Sequence, residues 1–363
     1  MKSGLDDVVA AETVLSDVDG LAGRLIVRGR SLDELVRDSR YEDMLTLLFQ
    51  GFFDDLPPTR ALAHELGLAR VAVFQHLRAA DAVLLQRSPI EAVRALLARL
   101  PDGDDLPTAS SLLAGSAVFL PAILRLQAGK APIAPDSQLS HAADILRMID
   151  GKQPNASQVA ALDAYLVTVA DHGLNASTFA ARIVASTQAG LTSAVLAGIG
   201  ALKGPLHGGA PGPVLDMLDA IGSATNAESW LEAALARGDR LMGFGHRIYR
   251  VRDPRADALK TALRALSQTG QVDPERVALA EAVEVAALTL LKRLKPDRPL
   301  ETNVEFYTAL LLEAVGFPRE AFTCVFAIGR TGGWIAHARE QALGGRLIRP
   351  KSLYVGPLPR EAA

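Results

Sequence analysis

Apolar residues return at helical spacing along almost the whole of this 363-residue chain, with Pro- or Gly-containing joints between most of the stripes. From Leu32 to Phe53 the positions Leu32, Leu35, Val36, Tyr41, Met44, Leu45, Leu48 and Phe49 keep that spacing, with a break at Asp38 to Arg40. Similar stripes run from Thr59 to Leu85, Pro89 to Leu100, Ser110 to Ala128 and Ser140 to Met148, and Gln158 to Ala170 gathers Leu162, Tyr165, Leu166 and Val169 on one face. The Ala-rich run Ser177 to Leu202 reads as one long buried helix. Further helices are expected at Gly212 to Ile221, Glu228 to Arg237, Arg255 to Leu266 and Glu275 to Leu294. Asn303 reads as the N-cap of a helix that Gly316 and Pro318 close, and a last helix from about Arg319 to Leu343 stops at Gly344-Gly345, before an extended basic tail, Arg346 to Lys351. Strand patterns are scarce: Leu25 to Arg28, in one hairpin, is the best. Aromatic residues make up only 5% of the chain while Ala and Leu dominate, which favours helix over strand throughout.

The length exceeds what one core usually fills, so about two domains are expected, although no linker or internal repeat marks a boundary. A formal net charge of −3 without a basic run gives no footprint for nucleic acid. The opening Met1 to Ala11 carries Asp6 and Asp7 in place of a signal peptide's apolar core. The closest approach to a membrane span, Ser177 to Leu202, is interrupted by Arg182, Ser186, Thr187 and Gln188. The single cysteine, Cys324, excludes an internal disulfide, reads as core, and fits a cytoplasmic location.

Three of the seven histidines sit in glycine-flanked segments: Asp171-His172-Gly173-Leu174-Asn175, Gly204-Pro205-Leu206-His207-Gly208-Gly209 and Gly243-Phe244-Gly245-His246-Arg247. Glycine lets a ligand approach the main chain, and imidazole donates, accepts or titrates near neutral pH, so these loops point to proton and carbonyl chemistry. Glu305, in the first turn behind Asn303, is a candidate base that the helix N-terminus is expected to keep ionised. His64, His76, His141 and His337 lie in helical patterns without visible partners and read as structural. Gly198-Ile199-Gly200, inside a helical run, reads as close helix packing rather than a dinucleotide fingerprint.

Taken together, these segments resemble the citrate synthase family over nearly the whole chain. Gly204 to Ala210 is similar to the family's first catalytic histidine loop, and Gly243 to Arg255, Gly-Phe-Gly-His-Arg-Ile-Tyr-Arg-Val-Arg-Asp-Pro-Arg, to its second. Asn303-Val304-Glu305 is similar to the family's Asn-Val-Asp, with Glu in place of the more usual Asp. Arg349-Pro350-Lys351 resembles its C-terminal arginine motif, and Gly4 to Ala10 its opening.

The resemblance implies an all-α fold of two domains, a large one from residues 1–207 and 311–363 around a small one from 208–310, working as a homodimer without metal or cofactor. It implies an acyltransferase that condenses acetyl-CoA with oxaloacetate and water to citrate and free coenzyme A. Within it, His207 would donate to the thioester oxygen as the enolate forms, Glu305 would abstract the proton, and His246 would polarise the ketone and protonate the alkoxide. His172, His246, Arg255, Arg330 and Arg349 would hold oxaloacetate, Arg349 across the dimer, since guanidinium forks pair with carboxylates. Leu241, Met242, Gly243, Phe244, Gly245 and Arg250 would receive coenzyme A.

Other readings stay open on the residues. One is 2-methylcitrate synthesis from propionyl-CoA, since one methylene in an apolar pocket is worth only about 1–3 kcal/mol. Another is an inactive scaffold of the same fold, and a third a zinc hydrolase using the histidines and Glu305 as ligands, although a His-Glu-x-x-His pattern is absent.

Overall fold

A computed structural model of the chain describes residues 8–77, 82–208, 211–246, 248–297 and 299–357. The family-like opening from Gly4 to Asp7, and Gly209, Ala210 and Arg247 in the histidine loops, lie outside the described residues. The chain begins with a small antiparallel sheet, β1 (Ser16–Asp19), β2 (Arg24–Val27) and β3 (Arg30–Ser31), in the order β1-β2-β3. This exceeds the expected hairpin by one short strand. The rest is helical: α1 (Leu32–Asp38), α2 (Tyr41–Phe49), α3 (Thr59–Phe74), α4 (Ala82–Leu85), α5 (Pro89–Leu97), α6 (Leu106–Gln127), α7 (His141–Asp150) and α8 (Ala156–Val169). There follow α9 (Ala176–Ala185), α10 (Leu191–Leu202), α11 (Pro211–Ile221), α12 (Ala227–Ala236), α13 (Pro254–Ser267), α14 (Pro274–Leu294), α15 (Val304–Ala314) and α16 (Phe322–Gly344).

The all-α expectation holds, and most boundaries fall within a few residues of those expected. Two differences have clear causes. The stripe expected over Ser177 to Leu202 is two helices, because the chain turns between Ala185 and Leu191, with Gln188 at φ 61° and Gly190 at φ 93°. The most membrane-like helix is α6, and 78% of its apolar window is buried inside the protein. It is a core helix, and α3, α5, α7, α10 and α16 pack around it.

Helix α16 fixes the position of the site. It packs against α8, α9, α10 and α6, and it carries Trp334, fully buried where Gly198 of α10 leaves no room for a side chain. That is the close packing expected of Gly198, whereas a Cβ on Gly200 would meet nothing within 4 Å among the described residues. At Gly333 an added Cβ would lie 2.2 Å from the Ala170 carbonyl oxygen, so the bare backbone sets how closely α16 crosses the end of α8. The loop bearing His172 starts there, and Arg330 lies one turn earlier on α16. Helix α13 in turn packs on both α8 and α15, bringing the elements that bear Arg255 and Glu305 together against α8.

Gly333→Ala must push backbone against backbone and is expected to destabilise the fold by about 1–3 kcal/mol. Gly200→Ala, in a helix with nothing within 4 Å, is expected to be neutral or stabilising by about 0.5–1 kcal/mol. Denaturant midpoints of the two variants check the contrast; equal midpoints would remove the close crossing from the account.

Candidate active site

Two glycines shape the turn before His246. Gly243 and Gly245 both take φ 85°, and a Cβ would meet Phe306 at 2.8 Å or Leu300 at 2.8 Å, so other residues are strained there twice over. The turn is fastened to the start of α15. Asn303 N–H donates to the Gly243 carbonyl at 2.9 Å, Gly245 N–H to the Glu301 carbonyl at 2.7 Å, and Asn303 Nδ2 to the Gly245 carbonyl at 2.8 Å. Asn303 Oδ1 meanwhile accepts the Glu305 N–H at 3.0 Å, which makes it the N-cap expected from sequence. Leu241 and Phe244 are buried in this turn, Met242 is half-buried, and Arg250 is exposed just beyond it.

Two buried guanidiniums supply positive charge. Arg255, in the first turn of α13, is held by Asp253, with Nη2 to Oδ2 at 2.8 Å and Nε to Oδ1 at 3.0 Å. Burial is the largest single influence and opposes its charge, but Asp253 together with Tyr249 and Glu305 more than offsets it and raises the pKa. Asp253 also caps α13 through the Arg255 N–H and accepts the Val304 N–H at 3.2 Å, so one carboxylate ties α13 to α15. Arg330 donates Nε to the Val169 carbonyl at 2.5 Å and lies over the Phe326 ring, while its Nη2 is buried with no hydrogen-bond partner among the described residues. Burial and the like charge of Arg255 bring its pKa down to about 10, still cationic at neutral pH. A buried donor without an acceptor costs roughly 1–3 kcal/mol, a cost that an incoming carboxylate removes.

The imidazoles are arranged around these cations. His246 Nδ1 accepts the N–H groups of Ile248 at 3.1 Å and Tyr249 at 3.0 Å, so the neutral ring carries its proton on Nε2. Nε2 stands 3.3 Å from Arg255 Nη2. Both are then donors, and an anionic or carbonyl oxygen between them would accept from each. The His172 ring meets that of His246 edge-on at 5.9 Å, and its Nε2 lies 3.1 Å from the Tyr249 hydroxyl. His207 Nε2 lies 2.8 Å from Ser177 Oγ, which also accepts the Trp334 indole N–H at 3.2 Å. Desolvation first, and then Arg255 and Arg330, hold the His172 pKa well below the usual range and bring His207 down to about 4; desolvation and Arg255 bring His246 to about 4 as well. All three rings are therefore neutral at physiological pH.

Glu305 behaves differently from the sequence expectation. The helix N-terminus was expected to keep it ionised, but desolvation dominates and pushes its pKa up to about 7, Asp253 adding to the rise and Arg255 and Arg330 opposing it. A single first-turn dipole is weak beside the loss of water around a carboxylate. Glu305 thus changes charge near neutrality, within electrostatic reach of the same two arginines that act on His172 and His207.

The fold thus brings His172, His207, His246, Arg255, Arg330 and Glu305 together. Arg349 is not among them: it is exposed on the tail and bonds to no described residue. Sequence reasoning missed Tyr249, Asp253 and Ser177, although Asp253 announces itself as an N-cap immediately before a proline. His337, expected to lack partners, has two: Nε2 lies 3.1 Å from Asp171 Oδ1 and Nδ1 3.0 Å from Arg182 Nη1. His64 and His76 are exposed, while His141 is buried with both ring nitrogens unpaired among the described residues. Among the described residues no three His, Cys, Asp or Glu side chains gather as a metal-ligating group, so the zinc reading has no ligand set.

Known proteins match this chain over nearly its whole length. The family model for the citrate synthase C-terminal domain matches residues 4–351. The citrate synthase of Haloferax volcanii is 37% identical over 371 residues, covering 98% of this chain and 96% of that protein. The 2-methylcitrate synthase of Mycobacterium tuberculosis is 36% identical over 370 residues, covering 98% and 91% respectively. Among solved structures, the citrate synthase of Thermoplasma acidophilum, in a ternary complex with carboxymethyl coenzyme A and oxaloacetate, matches with a TM-score of 0.84 at 25% identity, covering 100% of this chain and 98% of that one. The chain belongs to the citrate synthase family.

Proposed function

We propose that this chain is a citrate synthase, which joins acetyl-CoA to oxaloacetate and hydrolyses the resulting thioester to citrate and free coenzyme A. The observation that carries the reading is the Asn303 junction: the turn presenting His246 and the helix presenting Glu305 are hydrogen-bonded into one unit, beside two buried cations.

In this reading Glu305, as carboxylate, takes a proton from the acetyl methyl group while His207 donates to the thioester oxygen. Such a donor is worth roughly 3 kcal/mol where charge develops. The one Ser177 hydroxyl proton has two acceptors in reach, Asn175 Oδ1 and His207 Nε2, each at 2.8 Å; given to His207, it leaves the ring proton on Nδ1, which then donates to the thioester. The enolate carbon then attacks the ketone of oxaloacetate, and His246 Nε2–H protonates the alkoxide. Water cleaves the citryl thioester, releasing coenzyme A. Arg255, Arg330 and His172 hold the keto-diacid, and the turn from Leu241 to Gly245, with Arg250, receives coenzyme A, which enters as a substrate and not as a cofactor.

Further parts of the reading follow from the family. The chain would divide into a large domain, 1–207 with 311–363, and a small one, 208–310, that closes over the substrates. It would act as a homodimer in which the exposed tail carries Arg349 to the neighbouring site, and its one buried cysteine suits the cytoplasm. Use of propionyl-CoA is the alternative favoured by the similarity to a 2-methylcitrate synthase. Thiol release measured with each acyl-CoA, with and without oxaloacetate, tests both: oxaloacetate-dependent release with a higher kcat/KM for acetyl-CoA is expected. A strong propionyl preference would make the chain a 2-methylcitrate synthase, and no release with either would leave the inactive scaffold.

Glu305→Gln is expected to lower kcat by about 10²- to 10⁴-fold, the usual worth of a positioned base, with oxaloacetate affinity nearly intact. Glu305→Asp should keep part of the activity. Unimpaired turnover by the Gln variant would assign the base elsewhere.

A group whose pKa is raised to about 7 is the needed carboxylate only above that pH, while both catalytic imidazoles stay neutral down to about 4. The kcat/KM profile for acetyl-CoA should therefore show one acid limb near pH 7, falling as pH falls. A limb near the ordinary carboxylate range would contradict burial as the controlling influence.

A further inference from the structure

The N-terminal sheet is too small to serve as a core layer: its strands have 4, 4 and 2 residues. Its strands β2 and β3 pack on α1 and bury Leu25 and Val27, while β1 reaches the two histidine loops, one at each end. At the first end, Ser16 Oγ donates to Asp171 Oδ2 at 2.5 Å and accepts the Gly173 N–H at 2.9 Å, so a single hydroxyl brackets His172 from both sides. Asp171 is held from behind: Arg182 Nη1 donates to His337 Nδ1, which puts the His337 proton on Nε2, where it donates to Asp171. Val18, on the same strand, packs against Gly173, where a Cβ would come within 3.2 Å of it.

The other end of β1 leads into a turn that Asp19 shapes by accepting the N–H groups of Leu21 at 3.0 Å and Ala22 at 2.9 Å. Within it the Gly20 carbonyl accepts the Arg250 N–H at 2.9 Å. A Cβ on Gly20 would lie 2.3 Å from the Ile248 carbonyl oxygen, so the two backbones touch. Ile248 is the residue whose N–H holds His246 Nδ1. From Ser16 to Gly20 the strand therefore spans from the backbone of the His172 loop to that of the His246 loop, and the two rings meet at 5.9 Å.

We propose that this strand and its turn form a clamp that sets the spacing of the two oxaloacetate-binding histidines, with Ser16 as its positioning residue. The inference rests on the citrate synthase reading and adds to it a segment more than 150 residues from His172 in sequence, bonded to both loops. Neither Ser16 nor Gly20 touches the reacting atoms; they act through Asp171, Gly173 and Ile248.

The test uses the full-length protein. Ser16→Ala leaves a buried carboxylate and a backbone N–H each short of a partner, and is expected to raise the oxaloacetate KM, and its Kd by titration calorimetry, about tenfold. The acetyl-CoA KM should stay within about twofold, since only the oxaloacetate loops lose support. Ser16→Thr, which keeps the hydroxyl, should recover most of the affinity. Gly20→Val, acting at the opposite end through the Ile248 carbonyl, should weaken oxaloacetate in the same selective way. The clamp is overturned if Ser16→Ala lowers thermal stability yet binds oxaloacetate as the parent does, or if it weakens both substrates equally. A parent protein that binds no oxaloacetate would instead remove the citrate synthase reading, so the two failures are distinct.

Discussion

One side-chain amide joins a turn to a helix start. Asn303 donates to the carbonyl of Gly245, beside His246, and accepts from the N–H of Glu305, so the turn bearing His246 and the helix bearing Glu305 cannot move independently. Asp253 makes the same connection one layer away, through Arg255 on one side and the Val304 N–H on the other. Glu284 braces this pair from behind. Burial works against its charge, yet Lys260, Tyr307, Thr302 and Arg252 all contact it and together bring its pKa to about 2. Arg252 belongs to the His246 segment, and Thr302 immediately precedes Asn303. Three polar residues thus fix the relation between one turn and one helix start, the kind of rigid geometry that holds groups in place for a ligand.

Burial acts on the site in two opposite senses. It disfavours whichever form is charged, so it drives imidazole toward neutrality and carboxylate toward protonation. The arginines reinforce the first effect and oppose the second. The outcome is a set of neutral histidines able to donate without being acids, beside one carboxyl group that titrates near neutral pH. Desolvation generates the contrast between neutral imidazoles and a titrating carboxyl group, and the fixed charges of Arg255 and Arg330 tune it.

Much of this was legible in the sequence. Helical spacing gave the fold class and most element boundaries because burial of an apolar face imposes a period that composition does not hide. The glycine-flanked histidines were legible because glycine permits backbone shapes that other residues resist. What stayed hidden depends on distance in three dimensions. The break between α9 and α10 follows from left-handed backbone at Gln188 and Gly190, and the Ala-rich pattern runs on across it. The partners of His337 come from Asp171 and Arg182, more than 150 residues away. The state of Glu305 departs from the first-turn expectation because a first-turn position is local, whereas desolvation is the sum of everything packed around it. Arg349, plain as a motif, finds no place in a single chain.

The glutamate at position 305 sharpens a geometric question that the surrounding bonds answer in part. The backbone on which it sits is not free to retreat: Asn303 is bonded to Gly243 and Gly245, and the Val304 N–H to Asp253. A carboxylate one methylene longer than the family's more usual aspartate therefore cannot be accommodated by sliding α15 backward without breaking several buried hydrogen bonds at once. The side chain must fold its extra length through its own rotamers, or the thioester must sit farther from the helix. Rotamer adjustment costs of order 0.5–1.5 kcal/mol, about what a single one of those bonds is worth, so the least costly solution leaves the junction intact and bends the side chain.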